Sequence, residues 1–171
     1  MKATIFLALI LGLAGTQIEA QMSTQTIKVF NALTGQYEEV PVVSKSDKEW
    51  KELLTKAQYH ITREAGTERP GTSELLHNKK RGVYICVACK NQLFGSGAKF
   101  DSGTGWPSYY EPVAKENVTL KEDNTFFMRR VEVLCARCGA HLGHVFDDGP
   151  PPTGKRYCIN GGALQFTEAN P

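Results

Sequence analysis

Cys86-Val87-Ala88-Cys89 and Cys135-Ala136-Arg137-Cys138 decide how this chain folds. Two residues between sulfurs let the backbone turn so that both thiolates of a pair face one ion. Two such turns brought together make the closed tetrahedral site of four sulfurs that zinc favours. Forty-five residues separate the pairs, so a substantial stretch leaves the site and returns to it. Gly139, directly after Cys138, suits a turn that needs positive φ. Two disulfides are the alternative, although a Cys-x-x-Cys disulfide closes a very short ring and tends to be redox-active rather than bracing. An iron or iron–sulfur centre is the third option. Four thiolates leave no open coordination position, so zinc here is expected to be structural. His141, three residues after Cys138, would ligate only in a Cys₃His site, and four cysteines are already available.

Around these pairs the sequence reads as strands and turns. Val83 to Cys86 and Phe126 to Leu134 have the β-branched and aromatic content of extended chain. Glycine and proline punctuate the remainder, at Gly95, Gly97, Gly103, Gly105-Trp106-Pro107, Gly149-Pro150-Pro151-Pro152 and Gly161-Gly162. Upstream, Ser46 and Glu49 spell a capping box, and Trp50, Leu53, Leu54 and Ala57 recur at i, i+3, i+4, i+7. One short helix with one apolar face follows, with Gly66 marking its stop. A hairpin is expected around Thr34-Gly35. The result is a mainly β, antiparallel domain with a short N-terminal helix.

With 171 residues, 41% hydrophobic and 22% charged, the chain suits one ordinary soluble domain and is not composed like a disordered one. A net charge of +2 gives no field for nucleic acid, and no apolar run reaches the length of a membrane span. Residues 1–20 read as a secretory signal: Lys2 is a positive start, Thr4 to Leu13 is mostly apolar, and Ala20 is a small terminal residue. The competing reading is a buried N-terminal helix or strand. The expected organisation is a signal at 1–20, a polar extension at 21–45 and the functional domain at 46–171. The compartment is then the secretory pathway, secreted or in the endoplasmic reticulum lumen. Glu168-Ala169-Asn170-Pro171 is no retention tetrapeptide, which favours export. Asn117-Val118-Thr119 is a glycosylation acceptor triplet in a polar stretch expected to be exposed.

Cys158 is left over from the pairs. A leftover cysteine is usually an inert buried residue. Here Arg156 stands two residues away, where its charge would lower a thiol pKa, and His141 and His144 lie a short stretch upstream. A cysteine near His or Arg is the arrangement of a thiolate nucleophile. Trp106, in Ser102-Gly103-Thr104-Gly105-Trp106-Pro107-Ser108, either fills the core or projects from a glycine-flanked turn into a pocket. Asp147 and Asp148 precede Gly149-Pro150 and read as turn residues rather than paired acids.

Together these segments resemble the B-type peptide-methionine-R-sulfoxide reductases. The resemblance rests on Gly82 to Cys89, Lys99 to Ser108, Cys135 to Phe146 and Asp148 to Asn160 continuing to Leu164, and covers about residues 47 to 168. It implies an antiparallel two-sheet β-tent braced by zinc on Cys86, Cys89, Cys135 and Cys138. It implies a monomeric oxidoreductase acting on a sulfur group, which repairs oxidative damage in proteins bearing methionine-R-sulfoxide. Cys158 would attack the sulfoxide sulfur, His144 would protonate its oxygen, His141 would assist, and Asn160 with ordered water would hold the oxygen. Trp106 would receive the S-methyl group, with Val145 and Arg156 as further substrate-binding residues. Cys158 becomes a sulfenic acid, regenerated by thioredoxin or a small thiol. The family often carries a resolving cysteine where this chain has Thr104, so a one-cysteine cycle is expected. Two departures stand out. Gly161-Gly162 replaces the family's Ser or Ala and would loosen the active-site strand. Pro70-Gly71-Thr72-Ser73 replaces an aromatic Pro-Phe-Thr-Gly segment and would alter one wall of the pocket. A non-catalytic zinc-braced binding module on the same scaffold is the alternative, and a redox relay through the Cys-x-x-Cys pairs is a third.

Overall fold

A computed structural model describes residues 25–124 and 129–169. The expected signal at 1–20 and residues 126–128 of the expected extended stretch lie outside the described residues. The strands are β1 (Thr26–Asn31), β2 (Gln36–Pro41), β3 (Gly82–Cys86), β4 (Gln92–Gly95), β5 (Lys99–Phe100), β6 (Ser108–Tyr109), β7 (Val118–Asp123), β8 (Arg130–Cys135), β9 (His141–Phe146), β10 (Arg156–Ile159) and β11 (Leu164–Glu168). Every pairing is antiparallel. One sheet runs β5-β6-β10-β9-β8-β7, a second runs β11-β3-β4, and β1-β2 is a separate hairpin with its turn at Thr34-Gly35.

Each Cys-x-x-Cys is the turn of a hairpin. The first joins β3 to β4 in the small sheet, and the second joins β8 to β9 in the large one. Gly139 has the expected positive φ of 66°, and its N–H donates to Cys135 O at 2.8 Å. Lys90 occupies the matching position of the first turn, with φ 64° and its N–H on Cys86 O at 2.9 Å. Between the sheets lies an aromatic core in which Phe94 stacks on Tyr109 at 4.4 Å and Tyr84 meets Tyr109 edge-on at 5.2 Å.

The expected single helix is two. Helix α1 (Asp47–Leu53) starts on the Ser46/Glu49 capping box, and α2 (Lys56–Arg63) starts on a second box, Thr55/Gln58. Leu54 and Thr55 take extended angles and break the helix between them. Leu53 is therefore 60% exposed and Ala57 is exposed, while Trp50, Leu54 and Ile61 reach the core. Arg63, at the end of α2, covers the Trp50 ring at 4.6 Å and donates to Cys138 O at 3.1 Å, tying the helices to the second cysteine turn.

Asn117 also departs from expectation. It is fully buried: its Oδ1 accepts from Phe30 N at 2.8 Å, and its Nδ2 donates to Phe30 O and Gln92 O at 2.9 and 2.7 Å. This residue pins the N-terminal hairpin to the body of the protein. A glycan on that nitrogen has no space and would remove a committed donor, so the folded chain carries no acceptor there.

Candidate active site and metal centre

The four paired cysteines form one buried cluster, with all sulfurs within 4.8 Å of one another. Cys89 Sγ lies 3.5 Å from Cys135 Sγ, and Cys86 Sγ lies 3.8 Å from Cys138 Sγ. Thiolates about 2.3 Å from a tetrahedral ion lie about 3.8 Å apart, so the cluster fits a metal ion of that type. All five cysteines are free thiols, which removes the disulfide alternative in this structure. Hydrogen bonds from its three neighbours and burial hold the Cys86 thiol well above its ordinary range. Four thiolates packed this closely would repel one another, and a bound cation would offset that repulsion. His141 is not part of it; its Nδ1 is 2.6 Å from Glu132 Oε1.

The second site lies on the large sheet. Strand register pairs Cys158 with Ser108 on one side and with His144 on the other, and pairs His144 with Glu132. Directly paired residues share a face, so these four side chains form a row across four strands. A cavity of about 180 Å³ opens over this row, lined by Cys158, His144, Trp106, Asn160 and Phe146, with Thr67, Arg130 and Gly143. Trp106 is thus at a pocket wall, not in the core. Cys158 is half-buried, and burial pushes its thiol up from the ordinary value; Thr104 and then Arg156 pull it back only in part. The expected lowering by Arg156 exists but is outweighed by desolvation.

Both histidines are oriented by acids. His144 Nε2 donates to Asp123 Oδ2 at 2.9 Å, and Arg130 Nη2 donates to the same oxygen at 2.7 Å. This leaves His144 Nδ1 as the nitrogen free to exchange a proton with a bound group. His141 is 4% exposed and stands outside the cavity lining, its ring edge-on to His144 at 5.5 Å. Its Nε2 has no hydrogen-bond partner among the described residues. Burial pushes its pKa down, against Glu132, which pulls it up. Any assistance from His141 therefore passes through His144.

Glu68 organises the opposite wall. Its carboxylate accepts from Gly161 N at 2.6 Å and Gly162 N at 2.8 Å, its carbonyl accepts from Trp106 Nε1 at 3.1 Å, and its N–H donates to Asn160 Oδ1 at 3.1 Å. Asn160 Nδ2 donates one hydrogen to Leu142 O at 3.1 Å. The glycine pair lies in a short 3-10 turn after β10, where both N–H groups are tied to Glu68 and there is no room for side chains. A Cβ at Gly161 would overlap the Ser73 side chain, and one at Gly162 would lie 2.6 Å from Ile61 Cδ1. The two sequence departures therefore meet in space, Ser73 filling the volume that a side chain at 161 would need. Residues 70–73 do not line the cavity; Thr67 does.

Two expected substrate contacts, Val145 and Arg156, do not line the cavity. Val145 pairs with Tyr157 and packs on the core, on the face opposite His144, because side chains alternate along β9. Phe146, two residues after His144, lines the cavity instead, and that alternation is the signal that identifies it. Arg156 lies over the Phe146 ring at 4.5 Å and is held by Asp148 at 2.9 and 2.8 Å, outside the lining. Asp147 pairs with Lys155, so both acids hold the turn at residues 149–154, as expected of turn residues. Glu68, Asp123 and Arg130 carry no local motif and were not legible in the sequence.

A family model described as the SelR domain matches residues 54–168. The chain is 59% identical over 124 residues to a peptide methionine sulfoxide reductase MsrB of Methanosarcina barkeri, covering 72% of this chain and 87% of that protein. It is 57% identical over 126 residues to the MsrB of Agrobacterium fabrum, covering 74% and 93% respectively. Against the chloroplastic peptide methionine sulfoxide reductase B1 of Arabidopsis thaliana it is 58% identical over 123 residues, covering 72% and 61%.

Proposed function

The chain belongs to the SelR family of peptide methionine sulfoxide reductases, and from that membership we propose that it reduces methionine-R-sulfoxide in oxidised proteins with Cys158 as nucleophile. The observation that carries this reading is the cavity in which Cys158, His144 and Trp106 converge over one face of the sheet. A sulfoxide sulfur is electrophilic, and its oxygen leaves only with protons on it. Cys158 Sγ attacks the sulfur, with His144 Nδ1 supplying the proton path to the oxygen. The sum is thiol plus sulfoxide giving thioether plus sulfenic acid: methionine is released and the oxygen remains on Cys158 as S–OH. A first external thiol displaces water to form a mixed disulfide, and a second releases Cys158; thioredoxin or a small thiol fills this role.

Trp106, fixed through its indole N–H by Glu68, offers a flat apolar wall for the S-methyl group, and Phe146 adds a second aromatic surface. Asn160 holds Glu68 and retains a second amide hydrogen for the sulfoxide oxygen. The metal that Cys86, Cys89, Cys135 and Cys138 would hold is zinc, which would cross-link the two hairpin turns and supply no step of the reaction. The composition of residues 1–20 supports the secretory pathway as the compartment. Because Asn117 is buried, the N-terminus of the mature protein, and not a glycan, reports that compartment.

The test is an assay of the purified protein with separated R and S epimers of a peptide sulfoxide and dithiothreitol, with zinc measured in the same sample. Turnover of the R epimer alone, lost about a thousandfold or more in Cys158→Ser with zinc retained, is the expected result. Activity within tenfold of wild type in that variant removes Cys158 from the mechanism.

A further inference from the structure

A run of hydroxyl groups leads away from the Cys158 sulfur. Thr104 Oγ1 lies 3.8 Å from Cys158 Sγ, within hydrogen-bond range for sulfur. Ser102 Oγ is 2.8 Å from Thr104 Oγ1 and 2.8 Å from Ser108 Oγ. Ser108 Oγ, fully buried, donates to Trp106 O at 3.2 Å. Each hydroxyl has one hydrogen to give, and the terminal carbonyl has none.

Counting hydrogens fixes how this run behaves. With Cys158 as a thiol, four hydrogens serve four contacts, all pointing from the sulfur towards Trp106 O. With Cys158 as a thiolate, three remain. Thr104 alone must turn: its hydroxyl leaves Ser102 and donates to the sulfur, while Ser102 and Ser108 keep their bonds. Ser102 Oγ still receives the Thr104 N–H at 3.4 Å. A neutral hydrogen bond is exchanged for one to an anion, which is roughly twice as strong. No proton travels along the run, because a carbonyl cannot take one.

Building on the reductase reading, we propose that Thr104 is a further catalytic residue, whose hydroxyl accepts from the Cys158 thiol and reverses to donate to the Cys158 thiolate. Ser102, held by Ser108, acts as a positioning residue: it accepts from the Thr104 hydroxyl in the thiol state and keeps the Thr104 N–H in both. Among the groups around the sulfur, Thr104 is the leading influence opposing the effect of burial, ahead of Arg156. The other charged or titratable groups near the sulfur are Asp148, behind Arg156, and His144 and Arg130 across the cavity. All of these are untouched by a change at 104.

The experiment is the pH dependence of Cys158 alkylation by iodoacetamide in the zinc-loaded full chain, with single modification verified by mass. Thr104→Val keeps the shape and removes the hydroxyl. It is expected to move the midpoint about one pH unit upward. Reductase kcat should fall about tenfold at neutral pH, with the deficit shrinking as pH rises. Thr104→Ser restores the hydroxyl and should titrate as wild type. If circular dichroism shows that the valine variant is unfolded, Thr104→Ala takes its place. A midpoint unchanged in the hydroxyl-free variant overturns the proposal, as does a serine variant shifted as far as valine, which would assign the effect to packing. If the alkylation shift is found but the wild type reduces no sulfoxide, the reductase reading fails and the hydrogen-bond assignment stands.

Discussion

Glu68 touches Gly161, Gly162, Trp106 and Asn160 from a single position, so one side chain and its own peptide groups set two walls of the cavity. Glu68→Ala would leave two backbone N–H groups without acceptors and release the loop that anchors Trp106. Losing hydrogen bonds to a charged group costs about 1.5–3 kcal/mol, so urea denaturation should show a loss of about 2–3 kcal/mol. The KM for a peptide sulfoxide should rise more than kcat falls, because Cys158 and His144 keep their own partners. A change below about 0.5 kcal/mol with unchanged KM would return Glu68 to the status of a surface acid. His141 makes a pH prediction of definite sign. Its folded pKa lies below the unfolded value of about 6.5, so the unfolded chain binds the proton first as pH falls. The stability it contributes is present above about 6.5 and is lost as pH drops through the folded value. Melting temperature from pH 7 to 5 should therefore fall more steeply for wild type than for His141→Gln, in which this titration is absent. Parallel curves would mean that Glu132, not burial, controls the histidine. His144 and Asp123 are present in both proteins, so the comparison changes His141 alone.

At the scale of elements, two hairpins from different sheets meet through their turns, and the cysteine spacing announces both. Gly139 was readable because glycine marks positive φ. Lys90 was not, since the same backbone geometry there is imposed by the cysteine turn on a residue that does not advertise it. Similarly, Leu53 and Ala57 mimic a continuous helical stripe, and only the Thr55/Gln58 box records the break. Serine at Cys138 should lose bound metal and lower the melting temperature of the whole domain, since binding energy at such a site is folding energy. An unchanged melting temperature would make the cluster peripheral. Asn117 tests the other joint. Asn117→Ala removes three hydrogen bonds at a buried position and strands the Phe30 and Gln92 groups they satisfied. A loss of about 3 kcal/mol in chemical denaturation is expected, with proteolysis beginning in the β1-β2 hairpin. Expression in a glycosylating host should give no mobility change on deglycosylation. A glycan at Asn117 would show that the hairpin docks differently.

For the whole molecule, Cys158 is the one cysteine outside the four-cysteine cluster, and on the proposed mechanism that fact governs turnover. The cysteine count was legible from the sequence, as were the cysteine and the tryptophan that line the cavity, because each sits in a short, strongly marked segment. The groups that hold them were not. Glu68 reaches Gly161 across 93 positions, and Asp123 reaches His144 across 21, distances at which no periodicity operates. The cluster sulfurs are buried and committed to one another at the junction of two hairpins, so none is available to condense with an oxidised Cys158. One equivalent of peptide R-sulfoxide should leave a sulfenic acid on Cys158, trapped by dimedone and seen by mass, with no intramolecular disulfide. Thr104 supplies the converse. Its Oγ1 is 3.8 Å from Cys158 Sγ, so Thr104→Cys puts a second sulfur close enough for a small side-chain movement to reach bonding distance. That variant should give a Cys158 disulfide to position 104 after one turnover and lose the dimedone adduct. Because the nucleophile is then released by dithiol exchange and not by direct attack on a sulfenic acid, its turnover should couple better to thioredoxin than to a monothiol. A wild-type peptide joining Cys158 to Cys86, Cys89, Cys135 or Cys138 would overturn this scheme, because a metal ligand would then have to leave the cluster in every cycle.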